Sequence, residues 1–310
     1  MARSEKTKGL LNKYVWVIET ISRRGKISFN ELNELWQRDI DISGGLELSK
    51  RTFDHWKSAI WDFFGIEIVN EMHGEFRYSI ENERDLRSNG VSSWLYNTFC
   101  VSNALANSQS IKDRILLEHV PSGQNYLKPI IEAMREGRVL NITYHSYNKD
   151  EDSNFDVQPY CVKLFRQRWY MVALSTYYNK EGPRIYCLDR IKELNTTDET
   201  FKMPRNWDAK TFFRDCYGII SNSDTPIQRI KLKVSAGQAN YLRDLKLHSS
   251  QQETKRNDEY RIFTYRLRPE YDFIQEILRN GSDVEVLEPQ ELRKEVAKII
   301  KELHNKYKEK

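Results

Sequence analysis

Arginine is the residue type in this 310-residue chain whose spacing most suggests chemistry. One pair, Arg166 and Arg168, opens RQRWYMVALS (residues 166–175), ahead of an uncharged aromatic run. A second pair, Arg184 and Arg190, lies in PRIYCLDRIKEL. A guanidinium is a planar fork that donates paired hydrogen bonds to phosphate or carboxylate oxygens. Tyrosine beside it can stack on a nucleobase and donate through its hydroxyl, and serine can complete a phosphate or sugar contact. Tyr144, His145 and Ser146 at the end of VLNITYHSY therefore combine with Arg168, Arg184 and Arg190 as a candidate effector-binding surface, which Lys163 and Arg166 extend. Asp189 reads as orienting or neutralising an arginine, because a carboxylate facing a bound phosphate would repel it. By composition alone, ion pairs within the chain and a solvated strand end explain the same residues better.

A second group of donors is Lys50, Arg51, Thr52, His55 and Lys57 in LSKRTFDHWKSAIWDFFGIEI. They fall outside the apolar stripe of Phe53, Trp56, Ile60 and Phe63 or Phe64, on a helix with Ser49 as N-cap and a stop at Gly65. Such side chains suit phosphates and base edges, although a solvated helix face has the same composition. Their place in the chain favours the first reading. Two helical segments precede them, one carrying Leu10, Leu11, Tyr14, Val17, Ile18 and Ile21, the other Leu32, Leu35 and Trp36 after a cap at Ser28. A hairpin follows, with strands near 66–71 and 75–80 joined around His73 and Gly74. Three helices and a two-stranded wing make a winged helix-turn-helix, whose third helix enters the major groove of a double-stranded DNA operator. Arg3, Lys6, Lys8, Lys13, Arg23, Arg24 and Lys26 add positive charge at the amino-terminal side. Residues 1–85 nevertheless hold more acidic than basic side chains, so DNA binding there requires the charges to be segregated between faces.

Other chemistries lack their residues. The six histidines (His55, His73, His119, His145, His248 and His304) show neither a His-Glu-x-x-His pattern nor a metal spacing with cysteine. Cys100, Cys161, Cys187 and Cys216 have no paired spacing, and the last three sit in apolar or aromatic surroundings suited to burial. The acidic stretch DEDSNFD reads as a loop, and no glycine-rich phosphate loop occurs. No enzyme, metal or cofactor is expected. A net charge of +4 does not by itself specify a partner. No apolar run is long enough to cross a bilayer, and MARSEKTKGL lacks the apolar region of a signal peptide, so the expectation is a cytoplasmic protein without a membrane partner.

The elements that must position these residues suggest a multidomain α+β chain. The winged helix-turn-helix takes residues 1–81, and a polar helical linker takes 82–135, broken near Pro121 and Gly123. Trp94, Leu95, Phe99 and Leu105 on that linker suit either dimer contacts or local packing. Residues 136–203 form short aromatic and β-branched strands, as in a small sheet or barrel. Trp169 is expected in its core. Residues 204–310 alternate strand and helix as a compact α+β domain with an antiparallel sheet, including a helix opened by Pro269.

Taken in order, four segments make the chain resemble the WYL-domain transcriptional regulators. LSKRTFDHWKSAIWDFFGIEI is similar to the family's recognition helix, and Trp169-Tyr170-Met171 stands in the place of the namesake Trp-Tyr-Leu. RIYCLDRI is similar to Arg-x-Phe-Arg-Leu-Asp-Arg-Ile, and DVEVLEPQELRKEVA resembles the end of the family's carboxy-terminal extension. The resemblance implies a central Sm-like small β-barrel that senses a nucleic acid, such as a single strand, or a nucleotide. It also implies a homodimer, with output through the winged helix. The function expected from it is a ligand-responsive transcriptional regulator, acting as a repressor. The alternative is a nucleic-acid or nucleotide sensor that works through a protein partner without operator-specific DNA binding. Two departures are visible: Met171 replaces leucine, and Cys187 stands where many members carry an arginine.

Overall fold

The computed structural model describes residues 2–71, 76–81, 90–107, 114–116, 122–175, 177 and 182–308. The turn expected at His73 and Gly74, Pro121, and the side chains of Arg3, Lys6, Lys8 and Leu105 lie outside the described residues. The chain divides into two compact units, Met1–Leu117 and Glu118–Lys310.

In the first unit the elements run α1 (Ala2–Arg24), α2 (Phe29–Arg38), α3 (Ile40–Ser43), α4 (Lys50–Phe64), β1 (Ile68–Asn70), β2 (Tyr78–Ile80) and α5 (Val91–Asn107). Local chemistry sets the helix ends. Ser28 and Glu31 form a reciprocal capping box at the start of α2, a device that contributes about 1 kcal/mol. Ser49 caps α4, and Gly65 ends it at φ +63°, where a side chain would be strained. The two strands pair antiparallel with Ile68 opposite Ile80, and Ile27 bridges Tyr78 on the other side. Tyr14, Ile18, Ile21, Leu32, Trp36, Phe53, Trp56, Ile60 and Phe64 fill one core. Phe64 is the buried member of its pair, and Phe63 is 59% exposed.

The second unit opens with α6 (Gln124–Glu136) and a five-stranded antiparallel sheet: β3 (Arg138–Tyr144), β4 (Ser153–Phe165), β5 (Arg168–Ser175), β6 (Arg184–Cys187) and β7 (Ile191–Thr200). Its order is β6-β5-β4-β3-β7. This corrects the expected Sm-like barrel, because among the described residues no sheet closes on itself. Closure requires the two edge strands to meet in hydrogen-bonding register, and here β6 and β7 are opposite edges. A three-residue 3-10 turn, Leu188–Arg190, carries the chain from one to the other. The apolar face is covered instead by α6, whose Ile130 and Ala133 join Leu140, Ile142, Val157, Met171, Ala173 and Leu188 in the core. Trp169 is half-buried, packed against this core without entering it. Gly123, at φ +64°, lies so close to the Leu188–Asp189 backbone that a Cβ there would collide with it.

After α7 (Ala209–Phe213) come β8 (Gln228–Ser235), α8 (Ala236–Asp244), β9 (Gln252–Arg256), β10 (Tyr260–Leu267), α9 (Tyr271–Arg279), β11 (Val284–Glu288) and α10 (Gln290–Lys306). The four strands order as β11-β8-β10-β9, all antiparallel, the split βαβ arrangement of ferredoxin-like folds. Ile230, Leu232 and Val234 of β8 point into the core. On the opposite face Lys231 pairs with Glu288 and Lys233 with Glu285. The helix after Pro269 begins at Tyr271 with Glu270 as its N-cap, so the proline precedes the cap.

The two sheets are tied by charge. Strands β4 and β5 meet in a tight hairpin in which Phe165 pairs with Arg168. The connecting residues Arg166 and Gln167 take φ +48° and +64°, as a two-residue hairpin turn demands. From this tip Arg166 reaches Glu276 of α9 at 2.5 Å, and Tyr217 donates to the same carboxylate at 3.0 Å. Glu276 is only 8% exposed, so it needs these donors. Lys163 donates to the Gly218 carbonyl at 2.5 Å and lies over the Phe213 ring. Replacing Arg166 by alanine is expected to lower unfolding free energy by about 2 kcal/mol. Gln167→Gly should raise it by about 1 kcal/mol by relieving the left-handed backbone. Denaturant midpoints of the two variants then move in opposite directions. Two shifts of the same sign would refute this account of the turn.

Candidate functional site

Helix α4 presents the five proposed DNA-binding residues in two distinct states. Lys50 bonds the Tyr78 hydroxyl and lies over that ring, and Lys57 pairs with Asp54 at 3.1 Å. Thr52 is engaged with the capping Ser49, hydroxyl to hydroxyl at 2.7 Å. Arg51 and His55 are exposed. One turn apart, they share a helix face. Asp54 sits between them and is also within 3.7 Å of Lys50.

The six proposed effector residues also separate. Arg168 is bound to Asp189, which in turn accepts the Cys187 thiol at 2.6 Å. Burial works against charge on Arg168, yet its hydrogen bond to Asp189 leaves its pKa raised. Asp189 is desolvated too, but the Cys187 and Arg168 donors hold its pKa below the ordinary carboxylate value. The Cys187 thiol, through burial and then its bond to Asp189, is pushed up to about 11 and stays protonated near neutrality. At position 187 the chain therefore has a thiol donating inward to a carboxylate. His145 pairs with Asp152 at 2.8 Å, and the Ser146 hydroxyl accepts from the Asn148 backbone at 3.4 Å.

Tyr144, Arg184 and Arg190 are brought together. They line one cleft of about 850 Å³ with Tyr170, Pro183, Ile185, Cys187 and residues 219–224. Register explains part of this wall, since Tyr170 and Cys187 are cross-strand partners and share a face. The Tyr144 hydroxyl accepts the Cys187 backbone N–H at 3.1 Å. Burial raises its pKa, with that N–H and the Arg190 guanidinium acting in the opposite sense. Arg190 stacks over the Tyr147 ring at 3.8 Å, its carbonyl accepts the His145 N–H at 3.0 Å, and its Nε is buried without a hydrogen-bond partner. Residues 219–224 escaped sequence reasoning, which had no charge cluster, aromatic run or glycine pattern there to follow. Tyr170 was visible as part of the aromatic strand, but its facing was not.

Among the described residues, no group of three or more histidine, cysteine or acidic side chains could hold a metal ion. No described helix is long and apolar enough to cross a membrane.

Sheet, covering helix and the split βαβ domain that follows make a two-part α+β architecture. Residues 125–196 match the WYL domain and residues 226–303 the WCX domain. The chain is a WYL-domain-containing protein. Among solved structures it is similar to proteasome accessory factor B/C (PafBC) of Arthrobacter aurescens, at 20% identity and a TM-score of 0.34, over 94% of this chain and 46% of that one. This chain thus spans less than half the length of that relative. It is also similar to a CRISPR Cas-related protein, at 11% identity and a TM-score of 0.39, over 97% of this chain and 85% of that one. No curated protein matches significantly.

The depressed pKa of Asp189 makes its stabilising contribution depend on acid. That contribution is complete above about pH 4, the ordinary aspartate value, and is lost as the pH falls through the lower folded value. Unfolding free energies of the wild type and Asp189→Asn, followed from neutral pH into acid, should therefore converge. A gap that stays constant across that range would show that the charge of Asp189 contributes nothing.

Proposed function

We propose that this chain is a ligand-responsive, DNA-binding transcriptional regulator that acts as a repressor and homodimer. In this reading the first unit serves as a winged helix-turn-helix reading an operator, and the cleft of the WYL domain takes a nucleic-acid or nucleotide effector. The observation that carries it is the convergence of Arg184, Arg190 and Tyr144 on one cleft. A guanidinium beside tyrosine suits a phosphate joined to a base. On the DNA side, Arg51 and His55 are the proposed readers, with Lys50, Thr52 and Lys57 positioning the helix.

Mobility shift of the full chain on DNA from upstream of its own gene tests the operator claim. Binding should be sequence-specific and fall steeply with salt. Arg51→Ala should weaken it about tenfold or more if Arg51 makes a paired contact to a base. Equal affinity for unrelated DNA would sink the operator reading, and the footprint of a homodimer must be two-fold symmetric.

The effector claim has its own variant. Combined Arg184→Ala and Arg190→Ala should abolish any change in operator binding caused by short single strands or free nucleotides, while the thermal unfolding transition is retained. A preserved response would assign both arginines to structure.

The adaptor alternative draws on one observation, the pairing of Lys57 with Asp54, which takes positive charge off α4. It predicts effector binding in the cleft with no operator preference.

A further inference from the structure

The far wall of the cleft is built from the connection between the WYL and WCX domains. Residues Asn222, Ser223 and Asp224 are exposed there. Their backbone is held from behind. The Asp272 carboxylate accepts the N–H groups of Ile219 and Ile220 at 2.9 and 3.2 Å. Arg268 donates to the carbonyls of Ser223, at 3.1 Å, and Thr225. Asn222 Oδ1 accepts the Asp224 N–H at 3.0 Å. Gly218, at φ +84°, brings the chain so near Asp272 that a Cβ would collide with that side chain. A wall fixed this way needs little ordering when a ligand arrives.

The two walls have opposite chemistry. Arg184 and Arg190 present positive charge on the sheet side, whereas the connection presents a carboxylate, an amide and the hydroxyl of Ser223; the Ser221 hydroxyl donates to the Phe212 carbonyl at 3.2 Å. A ligand anionic at both ends is repelled by Asp224. One that is wholly apolar leaves polar groups on both walls unmatched. The match is a molecule with an anionic end and a neutral end rich in O–H donors, because an ionised carboxylate only accepts hydrogen bonds.

We propose that the cleft selects a free ribonucleotide, its phosphate toward Arg184 and Arg190 and its ribose hydroxyls toward Asp224 and Asn222. This rests on the effector-cleft reading above and adds the polarity and sugar of the ligand. The 2′-hydroxyl is the group by which a protein separates ribose from deoxyribose. Removing it leaves one acceptor position of Asp224 unmatched. Exocyclic amines of a base are the other neutral donors a nucleotide could offer to the same carboxylate.

Calorimetric titration of the full chain with inorganic phosphate, adenosine and uridine 5′-monophosphates and the two 2′-deoxy counterparts separates these sources. Each ribonucleotide should bind about tenfold more tightly than its deoxy form. Asp224→Ala should erase that preference, and the Arg184→Ala, Arg190→Ala double variant should weaken ribo and deoxy forms alike. Equal affinity for ribo and deoxy forms would overturn the proposal, as would a preference that survives Asp224→Ala. Binding confined to the adenosine pair would also overturn it, assigning Asp224 to the base amino group, yet all three results leave the effector cleft standing. Absence of binding by every nucleotide and by phosphate would remove the cleft reading itself, and the ribose proposal with it.

Discussion

Glu276 is the constraint on which the second unit depends. A carboxylate on the inward side of α9 is costly to bury, and its nearest neutralising charge comes from a residue 110 positions earlier in the chain, with Arg279 of the same helix further off at 3.8 Å. Delivering Arg166 there requires the β4–β5 hairpin to end where it does. The tip accepts two consecutive non-glycine residues in left-handed backbone, at a cost of about 1 kcal/mol or more each. With the hairpin tip tied to α9, and Asp272 of the same helix gripping Ile219 and Ile220, one helix locates both walls of the cleft. A ligand across those walls would touch the WYL sheet and an extension of the WCX domain together. Any difference in wall spacing between bound and free states would then be felt at α9 directly.

The arginines differ by what is already beside them. Arg166 and Arg168 each face a mostly buried carboxylate, Glu276 and Asp189 respectively. A guanidinium so paired has little left to offer a phosphate, and withdrawing it would strand a desolvated anion. Arg190 has a ring beneath it at 3.8 Å and lies beside the Tyr144 hydroxyl; a buried Nε with no acceptor is common to Arg190 and Arg168 and does not separate them. Cys187 belongs to the first group, since its protonated thiol is directed at Asp189. A thiol at that position therefore need not weaken the cleft: it leaves Asp189 to a single cation and a neutral donor, while Arg190 is held by rings, over Tyr147 and beside the Tyr144 hydroxyl.

Much of this was legible where local chemistry decides structure. The caps at Ser28 and Ser49, the stop at Gly65 and the buried stripe from Phe53 to Phe64 depend on neighbours within a turn or two. Long-range outcomes were not legible. Whether β6 and β7 meet depends on strand lengths and on the 3-10 turn between them, so short aromatic strands alone suggested a barrel that the open sheet does not form. Strand β9, QETKR, is exposed throughout and has no apolar residue to betray it; it exists because β10 offers it an edge. Arg166 and Arg168 looked alike, and only the arrival of α9 separated their partners. The far wall of the cleft carries common polar residues whose meaning comes wholly from position.

The same distinction between local and assembled charge bears on the DNA proposal. Asp54 draws Lys50 and Lys57 toward itself and over Tyr78, which fixes α4 against β2 at the expense of its positive field. Residues 1–85 hold more acidic than basic side chains, so a general attraction to phosphates is weak there. What this arrangement sacrifices in sequence-independent affinity it returns as discrimination, because non-specific binding rests almost entirely on neutralised phosphates. A helix of this kind would dwell poorly on random DNA and rely on the direct contacts of Arg51 and His55. Two copies reading symmetric half-sites would supply the affinity that a single acidic domain lacks.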